Sequence, residues 1–135
     1  MRQKKSKKIK NIKGQTLSEV KKEFDRVFSI FIRQRDKGIC FTCGDTKWWK
    51  YQQNGHYVSR THMSLRYDEK NCNCQCMGCN VFRHGNMDMY ALALIKKYGV
   101  GILEELNKKK NTIRKWTVAE MLGEIDRYKK LIGEK

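Results

Sequence analysis

The sequence contains no apolar run long enough to span a bilayer, no apolar core near its N-terminus of the kind that directs secretion, and no internal repeat. The first absence excludes a helical membrane anchor, and the second points to a reducing cytoplasm. Acidic residues are scarce as well. Against 14 Asp and Glu stand 30 Lys and Arg, giving a formal charge of +16. Such a surplus repels itself unless an anionic partner offsets it, and with no membrane-binding face in the basic stretches that partner is a nucleic acid. A chain of 135 residues suits one compact domain, because halving it would leave each half too little apolar surface to bury.

Arg2 to Lys13 is almost entirely basic and polar and cannot fold by itself, so residues 1–14 read as a disordered arm that touches phosphates. Residues 15–135 form the single domain: an N-terminal helix over 15–36, a cysteine-bearing core over 37–85, and helices over 86–135. Thr16 and Glu19 make a capping box, and Leu17, Val20, Phe24, Val27, Phe28, Phe31 and Ile32 follow at helical spacing, with Gly38 as the stop. Between Cys40 and Arg60 the strand formers Phe41, Trp48, Trp49, Tyr51, Tyr57 and Val58 are broken by Asn54-Gly55. That dipeptide predicts a tight hairpin turn with His56 just after it. A short helix begins near Met77, Gly85-Asn86 interrupts it, and helical spacing resumes from Met87 to Gly99 and from Ile102 to Lys110. Thr117 and Glu120 cap a last helix. The C-terminal helices serve packing or a homodimer surface.

Six cysteines in a reducing compartment favour metal over disulfides. Cys40-x2-Cys43 and Cys76-x2-Cys79 are two knuckles that together fill the four corners of a structural zinc site with no open position. Cys72 and Cys74 read as small buried residues, though Cys74 is only two residues from Cys76 and either could replace a ligand.

Between the knuckles lie His56 and Asn71, and after them Asn80 and His84. Cutting a phosphodiester needs a base to deprotonate water and a hard cation to neutralise the phosphate. His56 suits the first role. Asn80 and His84, at i and i+4, can present an amide oxygen and an imidazole nitrogen from one helix face to magnesium or manganese. Asn71 can hydrogen-bond the backbone near His56 and fix the imidazole. DNA contacts are expected from Arg60, Arg66, Lys47 and Lys50, with Trp48 and Trp49 stacking on unpaired bases.

The runs Gly55-His56-Tyr57, Leu65-Arg66-Tyr67-Asp68-Glu69-Lys70-Asn71, Gln75-Cys76-x2-Cys79-Asn80 and Gly85-Asn86 resemble the Rap/NinG family of phage recombination endonucleases over roughly Phe24 to Leu106. More distantly they resemble the phage endonuclease VII resolvases. The resemblance implies an α+β fold with a ββα-metal (HNH) core, a bound zinc, magnesium-dependent cleavage, and a preference for branched DNA such as Holliday junctions or D-loops. One position departs from that pattern. Many HNH nucleases carry an Asp or His ligand directly before the histidine, and here stands Gly55. Either the cation has fewer protein ligands, or Asp68 or Asp45 reaches it; Asp68 reads equally well as the ion-pair partner of Arg66. Two rivals remain: a noncatalytic zinc module that binds DNA by charge, and a sequence-specific homing or restriction nuclease.

Overall fold

A computed structural model describes residues 14–134, so the basic arm expected over 1–14 lies outside them except for Gly14. Six regular elements follow in order: α1 (Leu17–Arg35), β1 (Gln53–His56), β2 (Cys72–Gln75), α2 (Met87–Tyr98), α3 (Ile102–Lys110) and α4 (Val118–Leu131). Helix α1 starts at the capping box, where Glu19 N–H donates to the Thr16 hydroxyl at 3.2 Å and Thr16 N–H to the Glu19 carboxylate at 3.4 Å. Chain reversal after α1 needs left-handed backbone at Lys37 and Gly38. A Cβ at Gly38 would lie 1.9 Å from the Lys47 carbonyl, so glycine is required there.

The apolar stripe of α1 packs on α4: Val20, Phe24, Val27, Phe28 and Ile32 bury against Met121, Ile125 and Tyr128. Tyr67 stacks on Phe24 with ring centroids 3.6 Å apart, fastening the loop between the strands to the same core. A second core, Leu65, Tyr90, Leu94, Ile102 and Leu106, lies between that loop, α2 and α3. No helix among the described residues is long and apolar enough to cross a membrane.

The expected hairpin turn is corrected. Asn54 and Gly55 lie inside β1, paired with Cys74 and Asn73 of the antiparallel β2, and the loop 57–71 joins the strands. Phe41, Trp48 and Trp49 are not in strands either: Trp49–Tyr51 is a single 3-10 turn, and the Cys40–Cys43 loop is closed by an isolated bridge between Ile39 and Thr46. The strand that replaces them, Cys72-Asn73-Cys74-Gln75, is buried throughout although half of it is amide. Burial is possible because the amide nitrogens have partners. Asn73 donates to the Tyr90 hydroxyl at 3.0 Å and the Lys70 carbonyl at 3.2 Å, and Gln75 donates to the Gly85 carbonyl at 2.9 Å. The end of α1 seals the sheet edge, where Asp36 accepts the Cys74 N–H at 2.8 Å.

Candidate functional site: a cysteine cluster beside a histidine cleft

The sulfurs of Cys40, Cys43, Cys76 and Cys79 all lie within 4.8 Å of one another, and together they could hold a zinc ion. The local fold aims hydrogen-bond donors at them. Cys79 N–H donates to the Cys76 sulfur at 3.4 Å, Asp45 N–H to Cys43 at 3.5 Å, and the Asn86 amide to Cys79 at 3.7 Å. Burial nevertheless pushes the Cys43 thiol up to about 12 and raises Cys76, whereas at Cys40 it is outweighed by donation from Thr42 and backbone N–H groups, which brings that thiol down to about 6. Four thiolates this close need a cation to coexist. Cys72 and Cys74 are buried outside the cluster.

On the other side of β1 opens a cleft of about 960 Å³. Its walls come from one polar stripe of α1, Asp25, Ser29 and Arg33 at four-residue spacing, and from Asn54 and His56 of β1. Asn80 and His84 close its far end. They do not share an α-helical face, which corrects the i and i+4 expectation. Gly78–Phe82 is a π-helical turn, Arg83 ends it, and His84 is exposed with left-handed backbone at φ 50°. The wider π turn places Cys79 in the cysteine cluster and the next residue, Asn80, at the cleft.

The ring of His56 hydrogen-bonds through Nε2 to the Arg66 carbonyl at 2.9 Å. A carbonyl only accepts, so Nε2 carries the proton and Nδ1 holds the lone pair. Burial lowers the His56 pKa, the Arg66 carbonyl opposes that, and the charges of Arg66 and Arg60 add to it; the ring is neutral at neutral pH. Asn80 donates its amide to the Gln53 side chain at 2.7 Å, which leaves its own oxygen free. Asn54 also lines the cleft, and its side-chain oxygen is buried without a hydrogen-bond partner.

Over residues 1–134 the sequence matches the family described as NinG, bacteriophage lambda NinG protein. The chain belongs to the NinG family. Protein ninG of Escherichia phage 933W is 31% identical over 100 residues, covering 73% of this chain and 49% of that protein. Protein ninG of Escherichia phage lambda is 29% identical over 100 residues, covering 73% and 48%. Protein ninG of Salmonella phage P22 is likewise 29% identical over 100 residues. The chain therefore spans about half the length of the curated relatives it matches. No solved structure matches it. These descriptions name NinG and neither a Rap protein nor an HNH endonuclease, so the resemblance that joined NinG to those endonucleases is corrected to NinG alone.

The remaining candidates of the NinG chain fall into two groups. Asn71 is buried away from the cleft, accepting the Val58 N–H at 2.8 Å and donating to the Val58 and Leu65 carbonyls at 3.0 and 3.1 Å. It braces the loop that follows His56. Arg60 is exposed at the cleft with no carboxylate partner among the described residues, whereas Arg66 is paired with Asp25. Asp68 is not the partner of Arg66. It pairs with Lys109 and caps the N–H groups of Lys70 and Asn71 at 2.9 and 3.0 Å. Asp45 pairs with Lys47 at 3.4 Å, and neither carboxylate lines the cleft. Trp48 is exposed with the Lys50 ammonium 4.6 Å from its ring centre, and Trp49 is half-buried beneath Arg33.

Sequence reasoning missed Asp25, Arg33 and Tyr90. The first two belong to the polar face of a helix recognised by its apolar face, and the four-residue spacing with Ser29 is the signal that could have found them. Arg33 has carbonyl partners, Ser29 at 3.1 Å and Gln52 at 3.4 Å, and no carboxylate among the described residues; burial lowers its pKa, as expected of an uncompensated cation. Tyr90 counted as one more apolar position. Its hydroxyl donates to the Gly55 carbonyl at 2.8 Å, behind the strand that carries His56.

Proposed function

We propose that this NinG protein is a metal-dependent DNA endonuclease whose cleft cuts phosphodiesters with His56 as general base. The observation that carries the reading is the imidazole itself: neutral, oriented through Nε2, and presenting an unprotonated Nδ1. In that reading Nδ1 removes a proton from water as the oxygen attacks phosphorus. The bond to the 3′-oxygen then breaks, leaving 5′-phosphate and 3′-hydroxyl ends. A magnesium or manganese ion would neutralise charge on the phosphate and the leaving oxygen. The Asn80 oxygen and the His84 imidazole, both at the cleft, fit such a cation as ligands. Asp25 is the one carboxylate lining the cleft among the described residues, and Arg66 engages it, so ion affinity without DNA is weak.

The two strands, the π turn and α2 serve in this reading as a ββα-metal core beside the cleft. In this reading the cysteine cluster holds a structural zinc that fixes the π turn. Arg33 and Arg60, both lining the cleft, would meet phosphates, while exposed Trp48 and Lys50 suit unpaired bases and backbone at a branch point. The net charge of +16 supports a nucleic-acid partner.

The test compares magnesium-dependent cleavage of a four-way junction and of linear duplex. Junctions are expected to be cut faster. His56→Ala should lose at least about 10²-fold in rate while DNA binding persists, and Asn80→Ala should need more divalent ion for half-maximal rate. A His56→Ala protein as fast as wild type removes the role of His56. No cleavage by either protein with any divalent ion leaves the noncatalytic zinc module in its place.

A further inference from the structure

Arg66 stands out among the basic residues at the cleft because its charge is already answered. Its Nε donates to Asp25 Oδ1 at 2.8 Å and its Nη2 to Asp25 Oδ2 at 2.5 Å, a two-pronged pair whose guanidinium side chain is 12% exposed. The third nitrogen, Nη1, donates to the Arg60 carbonyl at 3.3 Å. With three of its five N–H donors engaged and its charge answered by a carboxylate, Arg66 has little left to offer a phosphate. What Arg66 offers the cleft is its main chain: its carbonyl accepts from His56 Nε2 at 2.9 Å. The buried Cys72 thiol, which burial keeps protonated, lies 3.5 Å from the same oxygen and donates to it.

We propose that Asp25 and Arg66 are positioning residues: the ion pair anchors the loop 57–71 to α1 so that the Arg66 carbonyl fixes the tautomer and orientation of His56. Leu65 and Tyr67, buried in the two cores, seat this segment, and the ion pair adds a charged tie at the residue between them, whose carbonyl orients His56 at the end of its four-residue strand. Helix α1 is the rigid partner. Its opposite face is buried against α4, so a carboxylate at position 25 is held by the core of the molecule. Second-layer contacts of this kind select which imidazole nitrogen is free, and their loss typically costs about 10- to 100-fold in activity. The inference rests on the proposed role of His56 for its kinetic consequence, but the tautomer can be measured without any cleavage.

The test uses the full-length chain and two readouts. Nitrogen-15 NMR of the His56 ring at neutral pH should show protonated Nε2 and unprotonated Nδ1 in the wild type, and a mixture of tautomers in Asp25→Asn. Single-turnover cleavage by Asp25→Asn should fall about 10- to 100-fold although DNA affinity stays equal or rises, since the substitution removes a cleft carboxylate and frees Arg66 for phosphate. Should Asp25→Asn fail to fold, Arg66→Lys, which keeps the charge and loses the fork, reads the same two signals. A folded variant with the wild-type tautomer overturns the proposal, whatever its rate. Absence of cleavage in the wild type defeats the nuclease reading instead and leaves the tautomer to decide this one.

Discussion

The cysteine cluster and the His56 cleft meet at consecutive residues, Cys79 and Asn80, yet they are built on opposite rules. In the cluster every ligand atom faces its fellows within 4.8 Å, and backbone and side-chain donors support the sulfurs. In the cleft, partners are withheld: Arg33 has no carboxylate among the described residues, Arg60 has none either, and His56 keeps one nitrogen free. A closed donor set stores folding energy, whereas an open one keeps capacity for something not yet bound. The difference teaches which region to disturb for stability and which for chemistry.

The sharpest way to break that comparison is to open the closed side. Cys76→Ser should remove the metal and much of the ordered core, because zinc binding supplies about 10–16 kcal/mol in small zinc-folded peptides. Zinc content and thermal melting of the purified variant check this, and a wild-type melt would mean the cluster is not structural. A smaller effect is expected from Tyr90→Phe. It deletes the hydroxyl that donates to Gly55 and leaves the buried Asn73 amide without that acceptor. The cost should be about 1–3 kcal/mol in denaturant unfolding, with zinc retained.

The smallest change is a shift along the pH axis. Burial lowers the His56 pKa, so its neutral form persists below the ordinary imidazole value of about 6.5, and the acid limb of the single-turnover rate should lie at lower pH than that. The same shift touches stability. The unfolded chain takes up a proton that the folded ring resists, so the contribution is complete above the unfolded pKa and is lost as pH falls through the folded one. An acid limb above the ordinary value would contradict the burial seen here.

How much of this was legible in the sequence depended on whether a residue's neighbours in the chain were also its neighbours in space. Both capping boxes and the apolar stripes of α1 and α4 rest on contacts three or four residues away, and they form as read. The two cysteine knuckles are local as well, and their union in one cluster needed only matching spacing. By contrast, β2 was invisible because Asn73 and Gln75 look like surface residues until Tyr90, Thr42 and the Gly85 carbonyl are placed beside them. Asn54-Gly55 imitates a turn by composition, but its glycine answers to the Gln75 side chain lying across it. Asp25 escaped notice for the same reason, since its partner is forty-one residues away.

That contact between Gly55 and Gln75 also constrains the routes open to mutation. A Cβ at position 55 would meet Gln75 Oε1 at 1.9 Å and its Cδ at 2.6 Å. Any acidic residue directly before His56 must therefore displace a fully buried side chain that ties Thr42 to Gly85. The two positions are epistatic. A carboxylate at 55 fits most readily once Gln75 has been shortened, and shortening Gln75 removes its bonds to Thr42 and Gly85. A library that randomises the two positions together should therefore recover paired solutions that single-site libraries under-represent.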